Sequence, residues 1–207
     1  MEIIKKLTVG ILLLWFAGGH IQAQDNKALQ ETFSKSYTME TAGNYSGAID
    51  ILKKVYNESS YEINLRLGWL HYLAGMFAES TTYYSKCIKL MPYSIEARLG
   101  YAFPAYAMGN LNQVETKYLE ILKIDANNYK ALYRLGSIYY GRKDYTQAYR
   151  NFEKLVNMYP FDYDALYMFA WTNYRTGKLR EAKVLFNKAL LNKPNDASAL
   201  EGLNLIK

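Results

Sequence analysis

"ALYRLGSIYYGRKDYTQAYRNFEKLVNMYP", residues 131–160, lies over "ALYMFAWTNYRTGKLREAKVLFNKALLNKP", residues 165–194, and that match sets the fold. Ala131 meets Ala165, Leu132 meets Leu166, Tyr133 meets Tyr167, Ala148 meets Ala182, Phe152 meets Phe186 and Pro160 meets Pro194, every pair 34 residues apart. The same step backward places Gly136 over Ala102 and Gly68, Pro160 over Ala126 and Pro92, and Gly177 over Lys143, Gly109 and Gly75. The register runs without a gap from 61 to 196. A fixed period of this length predicts stacked copies of one supersecondary unit.

Inside each copy the apolar spacing is helical twice. Leu132, Leu135, Gly136 and Tyr139 fall at 0, 3, 4 and 7, and Ala148, Phe152 and Leu155 at 0, 4 and 7. Each copy therefore reads as a helix, a short turn marked in most copies by glycine, and a second helix closed by proline or a polar residue. An all-α chain follows. With 50% apolar composition over 207 residues it can bury a substantial core.

The pattern resembles the tetratricopeptide repeat family. With position 1 at Tyr61, Ile95, Tyr129 and Tyr163, position 8 holds Gly68, Ala102, Gly136 and Ala170. Position 20 holds Ser80, Val114, Ala148 and Ala182, and position 24 holds Tyr84, Tyr118, Phe152 and Phe186. Position 32 holds Pro92, Ala126, Pro160 and Pro194. The copies at 129–162 and 163–196 match strongly and the one at 95–128 weakly. A further copy fits 29–60 through Ser36, Gly43, Ala48 and Leu52, and a capping helix is expected over 197–207, where Leu200, Leu203 and Ile206 would cover the last repeat. The resemblance implies a right-handed superhelical solenoid of about five repeats, in which each repeat is stable only against its neighbours.

It also implies that the first helix of each repeat lines a concave face, with positions 2, 5, 9, 12 and 13 facing the groove. Positions 5, 9 and 12 read Phe33, Tyr37 and Glu40; Leu65, Trp69 and Tyr72; Leu99, Phe103 and Tyr106; Tyr133, Ser137 and Tyr140; Tyr167, Trp171 and Tyr174. Eleven of these fifteen are aromatic. Large rings with a polar edge are over-represented at binding hot spots, so the stripe points to a groove for a peptide segment or a partner helix. The competing reading is that the rings only pack on one another. A glycan or glycolipid stacked on the same rings is the alternative ligand. Positions 5 and 9 contain no Lys, Arg or Asn, so the family's grip on a C-terminal carboxylate is not expected. Arg66, Arg98, Arg134 and Arg175 lie on or beside first helices, where solvated faces are as reasonable a reading as acidic contacts. Pro104 stands inside a first helix and predicts a kink, or a shorter helix.

Residues 1–23, with Lys5 and Lys6 ahead of an apolar run from Leu7 to Ala17 and small residues ending at Ala23, have the build of a secretory signal peptide cleaved after Ala23. The run is short for a span of a ~30 Å hydrocarbon layer, and an uncleaved anchor is the alternative. Export to a periplasmic or extracellular place in the cell envelope is therefore expected. Removing Lys5, Lys6 and Glu2 takes the formal charge from +6 to +5. The basic residues are scattered, which argues against a nucleic-acid partner.

No catalytic constellation emerges. The Gly136 to Gly141 spacing lacks the lysine and hydroxyl of a phosphate-binding loop, since Arg142, Lys143 and Asp144 follow. His71 stands at a packing position, and the single cysteine, Cys87, reads as a small buried residue. The expectation is a non-enzymatic interaction scaffold of the cell envelope with no cofactor and no metal. Another protein is the expected partner, and self-association through Leu200, Leu203 and Ile206 or the N-terminal helix is a further possibility.

Overall fold

The computed structural model describes residues 26–206. Among them every regular element is α-helical, and there are eleven helices. They are α1 (26–41), α2 (Tyr45–Lys53), α3 (Tyr61–Leu73), α4 (Phe77–Leu90), α5 (Ile95–Ala107), α6 (Leu111–Ile124), α7 (Tyr129–Gly141), α8 (Tyr145–Met158), α9 (Tyr163–Arg175), α10 (Leu179–Asn192) and α11 (Ala197–Leu205). From Tyr61 onward, odd-numbered helices begin every 34 residues, at Tyr61, Ile95, Tyr129, Tyr163 and Ala197. The even-numbered helices from α4 do the same, beginning at Phe77, Leu111, Tyr145 and Leu179. The expected signal peptide lies outside the described residues. No described helix is long and apolar enough to cross a membrane.

Local chemistry fixes these boundaries. Ser60, Ser94, Asn128, Asp162 and Asp196 are the N-caps of α3, α5, α7, α9 and α11, and each side chain accepts a hydrogen bond from the backbone N–H three residues on. Between the two helices of a repeat the chain turns through one left-handed residue: Gly43, Gly75, Gly109 and Gly177 all have φ between 73° and 76°. Lys143 occupies the corresponding turn with φ 64°. The Asp144 N–H still closes that turn on the Tyr139 carbonyl, as the Met76 N–H does on His71. The missing glycine therefore leaves the turn's geometry intact at a steric cost to one Cβ.

The chain divides into two compact units after Pro92. In the first, Ala48, Ile49 and Leu52 of α2 pack with Ile63, Leu67 and Leu70 of α3. Gly68 lies under the Tyr84 ring of α4, and the Ser80 hydroxyl donates to the Gly68 carbonyl at 2.7 Å. His71 is buried with its ring 4.8 Å from Tyr83, Nδ1 lying 2.7 Å from the Leu67 carbonyl oxygen. Burial pushes its pKa down, so the ring is neutral there.

In the second unit, α5 to α11, one core gathers Ala102, Ala105, Val114, Tyr118, Ile121, Ala131 and Leu135. The next is built on Ala148, Phe152, Leu155 and Phe169, and the last on Ala170, Ala182, Phe186 and Ala199. A ring from the second helix covers a small residue of the first: a Cβ on Gly136 would stand 2.7 Å from the Phe152 ring. The cap uses the same device, because a Cβ on Gly202 would come within 2.3 Å of Phe186. Leu203 and Ile206 pack beside that ring, while Leu200, expected to share the task, is 41% exposed. Ala199 and Gly202 take its place against the core.

Pro104 does not shorten its helix. α5 runs thirteen residues, as do α3, α7 and α9. The proline is buried, and its carbonyl accepts from the Met108 N–H at 3.0 Å, so the helix continues past the lost donor.

Candidate functional site: the aromatic faces of the odd-numbered helices

The first unit carries Phe33 and Tyr37 on α1 and Trp69 and Tyr72 on α3. Phe33 packs against the α2 and α3 core. Tyr37 is 54% exposed, but one face is occupied by the Arg66 guanidinium, whose carbon lies 3.8 Å from the ring centroid. The Trp69 Nε1–H donates to Glu40 at 2.7 Å, and its ring lies 5.6 Å from that of Tyr72, which approaches Phe77 at 5.9 Å. Phe33 and Tyr37 also line an open hollow along α1, with Leu29, Ser34, Thr38 and Glu62.

Arg66 itself is a correction to the solvated-face reading. It is only 7% exposed, donates from Nε to the Ser36 hydroxyl at 3.0 Å and pairs with Glu40. Its Nη2 is buried without a hydrogen-bond partner. Glu40 thus serves two donors, one charged. Arg98 is likewise buried, held by Glu120 at 3.0 Å and by the Ser94 carbonyl at 2.9 Å. Arg134 and Arg175 remain exposed. The signal for the two buried arginines was present in part, since Arg66 and Arg98 precede Leu67 and Leu99 within apolar helices. Their acidic partners lie about one repeat away and share no motif with them.

The second unit carries Phe103, Tyr106, Tyr133, Tyr140, Tyr167, Trp171 and Tyr174. Phe103 is 37% and Tyr106 66% exposed, and Lys130 Nζ stands 5.8 Å from the Phe103 centroid. The others are partly buried. Tyr133 meets Phe152 edge-on at 6.0 Å, Tyr140 meets Tyr145 at 5.4 Å, and Trp171 meets Phe186 at 5.1 Å and Tyr174 at 5.6 Å. The Tyr167 hydroxyl is 2.8 Å from that of Ser198. Several stripe residues are therefore packing and surface at once, and the open rings are Tyr37, Phe103 and Tyr106.

A second group of tyrosines, outside the stripe, joins one repeat to the next. Tyr129 donates to Asp162 at 2.6 Å, and Tyr163 makes the same bond to Asp196; both aspartates are N-caps of the following odd-numbered helix. Tyr139 donates to Glu115 at 2.8 Å, and Arg142 pairs with that same carboxylate. Burial, then the hydrogen bond to a carboxylate, raises all three phenols, Tyr139 to about 12. An unfolded tyrosine ionises near ~10, so the stability these phenols lend is complete below that pH and is lost as pH rises toward 12. The urea midpoint should hold to about pH 10 and then fall. Tyr139→Phe should soften the fall, and an equal fall in that variant would remove Tyr139 from the account.

Among the described residues no group of His, Cys, Asp and Glu could hold a metal ion. Cys87 is buried.

Helix pairs repeating every 34 residues, with a ring of the second helix over a small residue of the first, define a helical repeat protein. The profile of the tetratricopeptide repeat family matches residues 139–203. A tetratricopeptide repeat protein from Parabacteroides merdae has a similar structure, with TM-score 0.74 and 21% identity over 87% of this chain and 72% of its own. MamA superposes with TM-score 0.70 and 21% identity over 83% of this chain and 95% of its own. YrrB, described as a TPR protein with an unusual peptide-binding site, gives 0.69 and 14% over 87% and 97%. No curated protein matches the chain. The chain is a tetratricopeptide repeat protein by fold.

Proposed function

We propose that the protein is a non-enzymatic scaffold of the cell envelope that binds a peptide segment or helix of another protein on the aromatic face of its odd-numbered helices. The observation that carries the reading is the exposure of Phe103 and Tyr106 on α5, one helical turn apart, in a unit whose other rings are partly buried. Exposed aromatic surface beside a well-packed scaffold is costly to leave wet and is the usual substance of a binding hot spot. YrrB, of similar fold, has a peptide-binding site by its description, which supports the same class of ligand. The leader-like residues 1–23 support export, and envelope placement rests on them.

The test is affinity capture from native envelope extract with the full-length chain and with Phe103→Ala/Tyr106→Ala. Both side chains are exposed, so the double variant should stay fully helical by circular dichroism. A protein retained by the parent and lost from the variant supports the reading. Equal retention by both contradicts it, as does capture of oligosaccharide alone.

A further inference from the structure

Within the second unit, α7 and α9 enclose a cavity of about 170 Å³ lined by Tyr140, Tyr167, Met168, Trp171 and Arg175. Cavities near this size take a benzene-sized group. Its walls are two aromatic rings and a thioether, and its polar contribution comes from the Tyr140 hydroxyl and the Arg175 guanidinium. Arg175 Nε donates to the Tyr140 oxygen at a long 3.4 Å, which leaves the phenol's own proton and the terminal guanidinium nitrogens available. The mouth is thus a set of donors carrying one positive charge.

Arg175 differs from its relatives in the chain. Arg66, Arg98 and Arg142 each pair with a glutamate, Glu40, Glu120 and Glu115 respectively. Among the described residues no carboxylate pairs with Arg175; the groups acting most strongly on it are the phenols of Tyr140, Tyr145 and Tyr174. It stands at the last residue of α9, over Tyr174 at 5.9 Å from the ring centroid, beside the cavity and open to solvent. A planar guanidinium with free N–H groups beside aromatic walls is built for a carboxylate that arrives with apolar company.

We propose that this cavity seats one apolar side chain of a bound peptide while Arg175 and Tyr140 hold the carboxylate of a neighbouring Asp or Glu side chain. The partner is then an acidic and apolar peptide segment. This rests on the peptide-binding reading above and adds a position and a charge to it. Loss of the guanidinium should weaken binding about tenfold, the scale of a hydrogen bond to a charged group, and the parent's affinity should fall with added salt.

A random heptapeptide library displayed on phage, selected on the full-length chain, tests this directly. Peptides with Asp or Glu beside an apolar residue should be enriched. The acidic preference should vanish on Arg175→Gln and invert toward Lys and Arg on Arg175→Glu, and amidated and free-acid forms of the selected peptide should bind the parent equally. Should either variant lose helicity, Tyr140→Phe takes its place and should weaken the selected peptide. Enrichment without acidic bias, or the same bias on Arg175→Gln, overturns the assignment and leaves peptide binding standing. A requirement for a free C-terminus also overturns it, by giving the site to a chain end. No enrichment over blank support overturns both readings.

Discussion

Glu40→Ala should destabilise the first unit by about 3 kcal/mol, far more than an ordinary surface glutamate would cost. The reason is what the carboxylate leaves behind. Arg66 lies almost wholly inside the structure, and one of its terminal nitrogens is already without a partner. Removing Glu40 strips its counter-charge and also takes the acceptor of the Trp69 indole. A buried guanidinium without compensation is among the few single changes that cost several kcal/mol. The second half of the prediction isolates that cause: Glu40→Ala/Arg66→Met, which removes both charges and keeps an apolar side chain, should recover most of the loss. Urea melts of the four chains check it. A Glu40→Ala variant within about 0.5 kcal/mol of the parent would mean that the pair behaves as an exposed one.

The other large effect is expected at Phe152. Its ring is wholly buried and lies over Gly136, so Phe152→Ala should cost about 4 kcal/mol through lost transfer energy and the cavity left behind. Gly136→Ala should change sign with context. In the parent the added methyl would meet the ring at 2.7 Å and destabilise by about 1–3 kcal/mol. In the Phe152→Ala background the clash is gone, and alanine's better helix propensity should make the change stabilising by about 1 kcal/mol. Destabilisation of equal size in both backgrounds would show that the ring is not what confines position 136.

Why these features were unequally legible follows from their physics. Period, caps and ring-over-small packing are local or strictly repeated, and so they stand in the sequence: Gly136 and Phe152 sixteen apart, Ser94, Asn128, Asp162 and Asp196 thirty-four apart. The all-α repeat fold was therefore readable. The Glu40–Arg66–Trp69 group was not, because it depends on a pairing about thirty residues apart that occurs once. Tyr129 and Tyr163 were visible only as position markers; their hydroxyls acquire a role when the next helix's capping aspartate arrives beside them. The stripe positions were legible as aromatic but not as open or closed. Whether Tyr106 or Tyr133 is exposed depends on a neighbour such as Phe152 reaching over it, and spacing along one helix does not record that.

The claim at the centre of this account is that partners bind the aromatic face of the odd-numbered helices. Tyr106 on α5 and Val184 on α10 offer a matched pair of probes, 66% and 65% exposed, the first on that face and the second on an even-numbered helix. Each would be replaced in turn by the photo-crosslinking amino acid p-benzoylphenylalanine in the native host and irradiated. The account predicts a specific protein adduct from position 106 and none from position 184. An adduct from 184 with none from 106 would place binding on the other helices and contradict it.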